Sequence, residues 1–214
     1  MKKHYKSVFE NEQDLLKAII DIHLNGNDIE ADFTYFKGNF YKDGINRPKY
    51  CYDIKPLFDF VKEQDNTIYY LGENENKLKS VMIDPPFMFG IHGKSDNFYS
   101  SKTHGIYPGF GELEDSYIGF LRNAFIQLDK KGICIFKCQD YTDSKTTLTH
   151  NFVCKWAEET GFYIKDLAIL VKPNKVYNGN TKQRHLRKIH TYFIVLEKVN
   201  KKPYWYKELE NLTN

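Results

Sequence analysis

The stretch Val81-Met82-Ile83-Asp84-Pro85-Pro86-Phe87 sets a carboxylate, two prolines and an aromatic ring directly behind an apolar run. Neither proline has an N–H for a sheet ladder, so a strand entering this segment must stop at Asp84. Pro85-Pro86 is stiff and holds its carbonyls in fixed directions. A carboxylate beside a rigid carbonyl can accept both hydrogens of one amino group. This matters for the exocyclic amine of a nucleobase, which is a poor nucleophile because its lone pair is delocalised into the ring. Two acceptors favour a more tetrahedral nitrogen that can attack a methyl group, and such preorganised acceptors are an electrostatic device. Phe87 can stack on a base that has left its helix, a step required of any enzyme that works on a duplex base.

Asp84-Pro85-Pro86-Phe87 resembles the (D/N/S)PP(Y/F/W) motif of class I S-adenosylmethionine-dependent amino-methyltransferases acting on nucleic acids. Asp first and Phe last is similar to the adenine-N6 members, whereas Ser first is more usual in cytosine-N4 members. Upstream, Ala31-Asp32-Phe33-Thr34-Tyr35-Phe36-Lys37-Gly38-Asn39-Phe40-Tyr41 resembles a glycine-poor variant of the family's first motif, in which an acidic strand end leads into a turn and then a helix. Its D-x-T-Y-x-x-G-x-F form is similar to small phage-type DNA adenine-N6 methyltransferases. The resemblance implies cofactor contacts from Asp32, Thr34, Tyr35 and Gly38. Asp53 follows Asp32 by 21 positions, and the resemblance makes it the acceptor for the cofactor's ribose hydroxyls, by the logic of the acidic residue in dinucleotide-binding folds. Asp65 stands where the family often has an acid near the cofactor adenine, although Asp65-Asn66 is equally a surface turn. Lys131–Asp140 is similar to the family's fifth strand and His190–Leu196 to its last, antiparallel one.

These groups need a frame that brings them to one edge. Asn11 followed by Asp14 reads as a helix cap, Leu15, Leu16, Ile19 and Ile20 as an apolar face, and Asn25-Gly26 as a stop. Strands are expected over Ile29–Asp32, Lys49–Asp53, Phe60–Gln64, Ser80–Asp84, Gly132–Lys137, Asp166–Val171 and His190–Glu197. Helices are expected over Leu113–Leu128 and about Asn151–Thr160. Alternation of this kind argues an α/β fold with a mainly parallel sheet and helices on both faces. The resemblance makes it a Rossmann-like class I methyltransferase sheet with an antiparallel last strand. Ligands in such sheets bind outside the C-terminal strand ends, where Asp32, Asp53 and Asp84 fall.

Two long loops are expected beside Asp84. Residues 88–115 interleave His92, Phe98, Tyr99, His104, Tyr107 and Phe110 with glycines and polar residues, and a loop of that length is usually functional or mobile. Aromatics there can hold a flipped or single-stranded base. Residues 172–190 carry six basic side chains and, as far as Lys188, no acid. Lys182, Arg184, Arg187 and Lys188 are candidate phosphate contacts, with Tyr177 and His185 able to stack or hydrogen-bond. A solvated basic loop is the plain alternative. For His150 and His190 structural roles are expected, because the base nitrogen can lose its proton after methyl transfer.

With 214 residues, 41% apolar and 16% aromatic, the chain reads as one cored domain over 1–214. No run of about 18 apolar residues is available to span a bilayer, and Met1-Lys2-Lys3-His4-Tyr5-Lys6 lacks a signal-peptide core, so a soluble, cytoplasmic protein is expected. Cys51, Cys134, Cys138 and Cys154 have neither zinc-site spacing nor disulfide density; no metal is expected. A net charge of +3 permits a nucleic-acid partner without demonstrating one. The expected activity is methyl transfer from S-adenosylmethionine to adenine N6 in DNA. RNA adenine N6, DNA cytosine N4 and a non-catalytic methyltransferase-like nucleic-acid-binding subunit remain alternatives. There is no room for a dedicated target-recognition domain, so the loops, a partner subunit or low specificity must account for target choice. A dehydrogenase is disfavoured by the absence of GxGxxG.

Overall fold

The structure, a computed structural model, describes residues 4–69, 77–90, 106–142, 145–172 and 184–213. Its strands are β1 (Val8–Phe9), β2 (Ala31–Asp32), β3 (Tyr50–Asp53), β4 (Lys62–Glu63), β5 (Leu78–Ile83), β6 (Leu128–Cys138), β7 (Tyr141–Thr142), β8 (Thr146–Thr147), β9 (Phe162–Val171) and β10 (His190–Lys198). Its helices are α1 (Glu12–His23), α2 (Phe110–Gln127), α3 (Thr149–Thr160) and α4 (Tyr204–Thr213). Eight strands form one sheet in the order β1-β9-β10-β6-β5-β2-β3-β4, and β7 and β8 form a small separate hairpin. All pairings in the large sheet are parallel except those of β10, which runs antiparallel between β6 and β9. This is the mainly parallel α/β sheet with an antiparallel last strand that the sequence led us to expect.

The period-two pattern of the central strands decides which side chains meet which helices. Cys134, Phe136 and Cys138 of β6, with Tyr192, Ile194 and Leu196 of β10, face the core that holds Tyr117, Leu121 and Trp156 of α2 and α3. Ile133 and Ile135 of β6, with Phe193 and Val195 of β10, face the opposite core around Leu15, Leu16 and Ile19 of α1. Both faces are therefore buried, and each full burial of a side chain such as Leu16 or Phe193 stabilises by about 1.5–3 kcal/mol. Among the described residues, no helix is long and apolar enough to cross a membrane.

Local signals act as expected in α1. The Asn11 side chain accepts the Asp14 N–H at 2.9 Å, satisfying one of the open donors of the first turn. Beyond the helix, Asn25 and Gly26 both take positive φ, 54° and 77°, which ends it.

Other elements depart from the expectations. The chain between β2 and β3 forms a series of turns rather than a helix, with positive φ at Phe36, Gly38, Asp43 and Gly44. Side-chain acceptors replace helical bonds there: Asp53 Oδ2 takes the Phe36 N–H and Asp32 Oδ1 takes that of Thr34. At the 88–115 segment, α2 begins at Phe110, so its last residues are helical rather than loop. A bridge between Phe89 and Tyr107 joins its two described ends. β9 starts at Phe162, four residues before the expected strand, because the side-by-side pairing with β10 continues to Phe162 opposite Lys198. The terminal helix α4, unannounced in the sequence reading, docks through Trp205, whose Nε1 donates to the Thr160 carbonyl at 3.0 Å.

Candidate functional site

β2, β3 and β5 run parallel, so their C-terminal ends share one edge of the sheet. Asp32 and Asp53 end β2 and β3, and Asp84 follows β5 directly. The backbone of Asp84 is tied to the first motif: its N–H donates to Thr34 Oγ1 at 2.7 Å. Thr34 Oγ1 in turn lies 3.3 Å from Asp32 Oδ1. Asp32 is wholly buried and also accepts the Thr34 N–H at 2.8 Å and the Tyr41 hydroxyl at 2.6 Å. Burial pushes its carboxyl up to about 7, against the lowering effect of the Tyr41 and Thr34 hydrogen bonds and with a further push from Asp84. Asp32 thus organises the turn from inside.

Asp84 projects between the sheet and α1. Its Oδ2 lies 3.1 Å from Lys137 Nζ, and the same ammonium is 3.0 Å from Glu12 Oε1. The register explains the meeting: Ile83 pairs with Phe136, so the next residues of β5 and β6 come side by side on the α1 face. Lys137 is 10% exposed and lies 4.8 Å from the Phe40 ring centroid and 5.5 Å from that of Phe193. Burial works against its charge, but Asp84 and Glu12 outweigh that effect and hold its pKa above the ordinary lysine value. Burial raises the Asp84 carboxyl, while Lys137 opposes the rise without cancelling it. Asp84 Oδ1 is buried and has no hydrogen-bond partner among the described residues. Tyr117 donates to the Pro86 carbonyl at 2.9 Å, which fixes the second proline of the motif. Pro85 is buried, Phe87 is half-buried, and Phe87 has no ring contact among the described residues.

Beside this lies a cleft of about 550 Å³ whose lining includes Thr34, Asp53, Gln64, Asp65, Pro86 and Tyr107. Asp53 is 1% exposed; its carboxylate is oriented by the N–H groups of Phe36, at 2.9 Å, and Lys55, at 2.8 Å. Asp65 Oδ1 accepts the Thr67 N–H and hydroxyl at 2.9 and 2.6 Å. The wall behind is built by Asn66, whose amide donates to the Phe33 carbonyl and accepts from Gln64 and Asn123. Gly119 lets α2 come close, since a Cβ there would overlap the Thr67 carbonyl. Asp53, Asp65, Glu112 and Asp115 line the cleft against one lysine, Lys55. That charge balance repels a polyphosphate and suits a ligand with cationic groups and hydroxyl donors.

Of the residues singled out in the sequence, Thr34, Asp53, Asp65, Pro86 and Tyr107 meet at this cleft. Asp32 and Asp84 are hydrogen-bonded to the cleft residue Thr34 but, like Pro85 and Phe87, do not line the cleft. Tyr35 and Gly38 do not line it. Tyr35 is buried, stacks on Tyr41 with centroids 5.5 Å apart, and its ring covers Gly38 so closely that a Cβ there would overlap the Tyr35 hydroxyl. In the basic segment, Arg184 and Arg187 are exposed and Lys188 half-buried. The Lys188 carbonyl accepts from Gln139 at 3.2 Å and the Lys172 N–H bonds the Ile189 carbonyl, so both ends of the segment reach the edge that carries Asp84. Lys182 and Tyr177, like His92, Phe98, Tyr99 and His104, lie outside the described residues. His150 and His190 enter a network with Asp140 and Tyr192. His150 Nδ1 is 2.7 Å from Asp140 Oδ1, and Tyr192 donates to Asp140 Oδ2 while contacting His190 Nε2 at 2.9 Å.

Sequence reasoning did not single out Glu12, Lys137, Asn66, Tyr117 or Asn123. Lys137 had one available signal, a lysine inside the apolar run Ile133–Cys138, where a charge demands a buried partner.

No family model matches the chain, and no curated protein matches it. Solved structures do resemble it. A putative hemolysin from Lactococcus lactis is 14% identical over 95% of this chain and 96% of its own, with a TM-score of 0.53. A putative hemolysin from Streptococcus thermophilus is 14% identical over 99% of this chain and 74% of its own, with a TM-score of 0.50. A putative DNA modification methylase from Thermus thermophilus is 14% identical over 44% of this chain and 39% of its own, with a TM-score of 0.35. At these identities the likeness to the two putative hemolysins concerns the fold alone, and fold does not specify chemistry.

Proposed function

We propose that the protein transfers a methyl group from S-adenosylmethionine to the N6 amine of adenine in DNA. The observation that carries this reading is the state of Asp84. One carboxylate oxygen is held by Lys137, and the other is buried with no hydrogen-bond partner among the described residues, directly before the rigid Pro85-Pro86 segment. Asp84 Oδ1 accepts one amine hydrogen and the Pro85 carbonyl the other, leaving the nitrogen lone pair to attack. Phe87 stacks on the base. The proton that the amine loses after transfer has Asp84 as its first acceptor.

The residues present fit the cofactor. Asp53 would take the ribose hydroxyls, Asp65 would serve the adenine side, and the acidic lining would offer counter-charge to a sulfonium and an ammonium. The cofactor supplies an electrophilic methyl group. Arg184, Arg187 and Lys188, together with Lys182, take the phosphates of the polymer, while the first motif contributes through Thr34 and through the turn that Asp32, Tyr35 and Gly38 build.

The test is transfer of labelled methyl groups to DNA and to RNA, followed by nucleoside analysis. N6-methyladenine from DNA is expected. Label in RNA adenine or DNA cytosine N4 redirects the substrate assignment, and cofactor binding with no transfer to any polymer overturns the activity. Asp84→Ala should abolish transfer and leave cofactor affinity within a few-fold; turnover at the wild-type rate removes Asp84 from the chemistry.

A further inference from the structure

The ammonium of Lys137 stands between two carboxylates that reach it from distant parts of the chain, Glu12 at the start of α1 and Asp84 after β5. The rings of Phe40 and Phe193 flank it, so the charge is neutralised by protein groups and not by bulk water. An unpaired carboxylate with one oxygen as buried as Asp84 Oδ1 would be drawn toward its neutral acid. Its hydroxyl would then donate a hydrogen bond where the proposed reaction needs an acceptor. A lysine committed to Asp84 alone has the opposite fault, drawing negative charge away from the acceptor oxygen. Glu12 divides the attraction.

We propose that Lys137 and Glu12 form a positioning pair for Asp84: Lys137 pins Oδ2 and keeps the carboxylate charged, and Glu12 restrains Lys137 so that Oδ1 is presented as the amine acceptor. This inference rests on the methyl-transfer reading for its catalytic consequence, but not for its electrostatics. Neither residue touches the substrate. The pair also gives α1 a role beyond packing, since its first turn sets the charge state of a group at the sheet edge. Gln13, next in the helix, donates to the Asn39 carbonyl at 3.1 Å and so fixes that turn against the first motif.

The charged and titratable groups around Asp84 are Lys137 and Cys138 from β6, Glu12 from α1, Lys172 at the end of β9, Asp32 from β2 and Tyr117 from α2. Two substitutions in this set have opposite expected effects. Lys137→Met keeps the stem and deletes the cation, so the acid limb of the pH–rate profile should move upward by about one unit or more, a loss of about tenfold or more in rate on the acid side, recovered as pH rises. Glu12→Gln deletes the competing carboxylate and should move the limb downward. Lys137→Arg should restore a limb near that of the wild type. A salt bridge that only fastens α1 to the sheet changes stability and overall rate, not the limb in opposite directions.

The decisive measurement is a carbon-13 titration of the Asp84 carboxyl in wild type, Lys137→Met, Glu12→Gln and Lys137→Arg, with Asp84→Asn giving the assignment. Opposite movements for the Met and Gln variants support the pair even if no polymer is methylated, in which case only the activity reading falls. Methyl transfer with an unmoved limb and an unmoved titration in both variants overturns the pair and leaves the activity standing. Should Lys137→Met fail to fold, Glu12→Gln and Lys137→Arg carry the same comparison; an unmoved Asp84 titration in Glu12→Gln then overturns the proposal.

Discussion

The Asp84 N–H donates to the Thr34 hydroxyl oxygen at 2.7 Å, joining two strand ends 50 residues apart in sequence. Since Thr34 also reaches Asp32, the turn after β2 sets the position from which the Asp84-Pro85-Pro86-Phe87 segment departs. Thr34→Val keeps the shape and removes the acceptor, leaving a partly buried N–H without its partner. A stability loss of about 1–2 kcal/mol is expected, with a fall in kcat larger than any change in cofactor affinity. Urea denaturation and steady-state kinetics measure both, and wild-type values in both would remove Thr34 from this role.

Asp32 makes stability depend on pH with a definite sign. Its folded pKa, raised to about 7 from 3.8, means that the folded state holds the proton more tightly than the unfolded chain. The group's favourable contribution is complete below about pH 4 and is lost as pH rises through 7. Asp32→Asn abolishes this loss. Relative to wild type, the variant should therefore gain stability between about pH 4 and 7 by roughly 3–5 kcal/mol across the window. Parallel pH profiles of the unfolding free energy for the two proteins would contradict the assignment.

Asp53 is oriented by two backbone N–H groups, so its replacement has two effects. Asp53→Ala should weaken S-adenosylmethionine binding by about 1–3 kcal/mol, and it should also destabilise the β2–β3 turns. Calorimetric titration under conditions where the variant remains folded separates the effects. An unchanged dissociation constant refutes the ribose role.

Arg184, Arg187 and Lys188 stand at the same edge as Asp84. Replacing all three with Gln should weaken binding of DNA at moderate salt and flatten the dependence of log affinity on log salt by about 0.9 per lost phosphate contact on duplex, or about 0.7 on single strands. Cofactor affinity should not move. If affinity and slope stay at wild-type values for both DNA and RNA, the basic segment is a solvated surface and the polymer lies elsewhere.

Sequence alone determined the features whose physical cause is local. Two prolines without N–H groups stop β5 at Asp84, Asn11 caps α1, and the uninterrupted apolar runs Ile133–Phe136 and Tyr192–Leu196 mark β6 and β10 as buried on both faces. The alternation of strands with helices gives the mainly parallel sheet, and the placing of Asp32, Asp53 and Asp84 at strand ends brings them to one edge. The turn chain between β2 and β3 could not be read in the same way, because short backbone turns combine there with acceptors from the side chains of Asp32 and Asp53, and no local helical pattern holds it. Only the tertiary structure decided what Asp84 meets. Lys137 lies 53 residues away from it, and Glu12 sits on a helix at the other end of the chain. No periodicity relates these three, and they converge because the β5–β6 register brings Asp84 beside Lys137 on the face that α1 covers. A buried cation there requires carboxylates within reach, a demand that the sequence states but only the packing of α1 against the sheet answers.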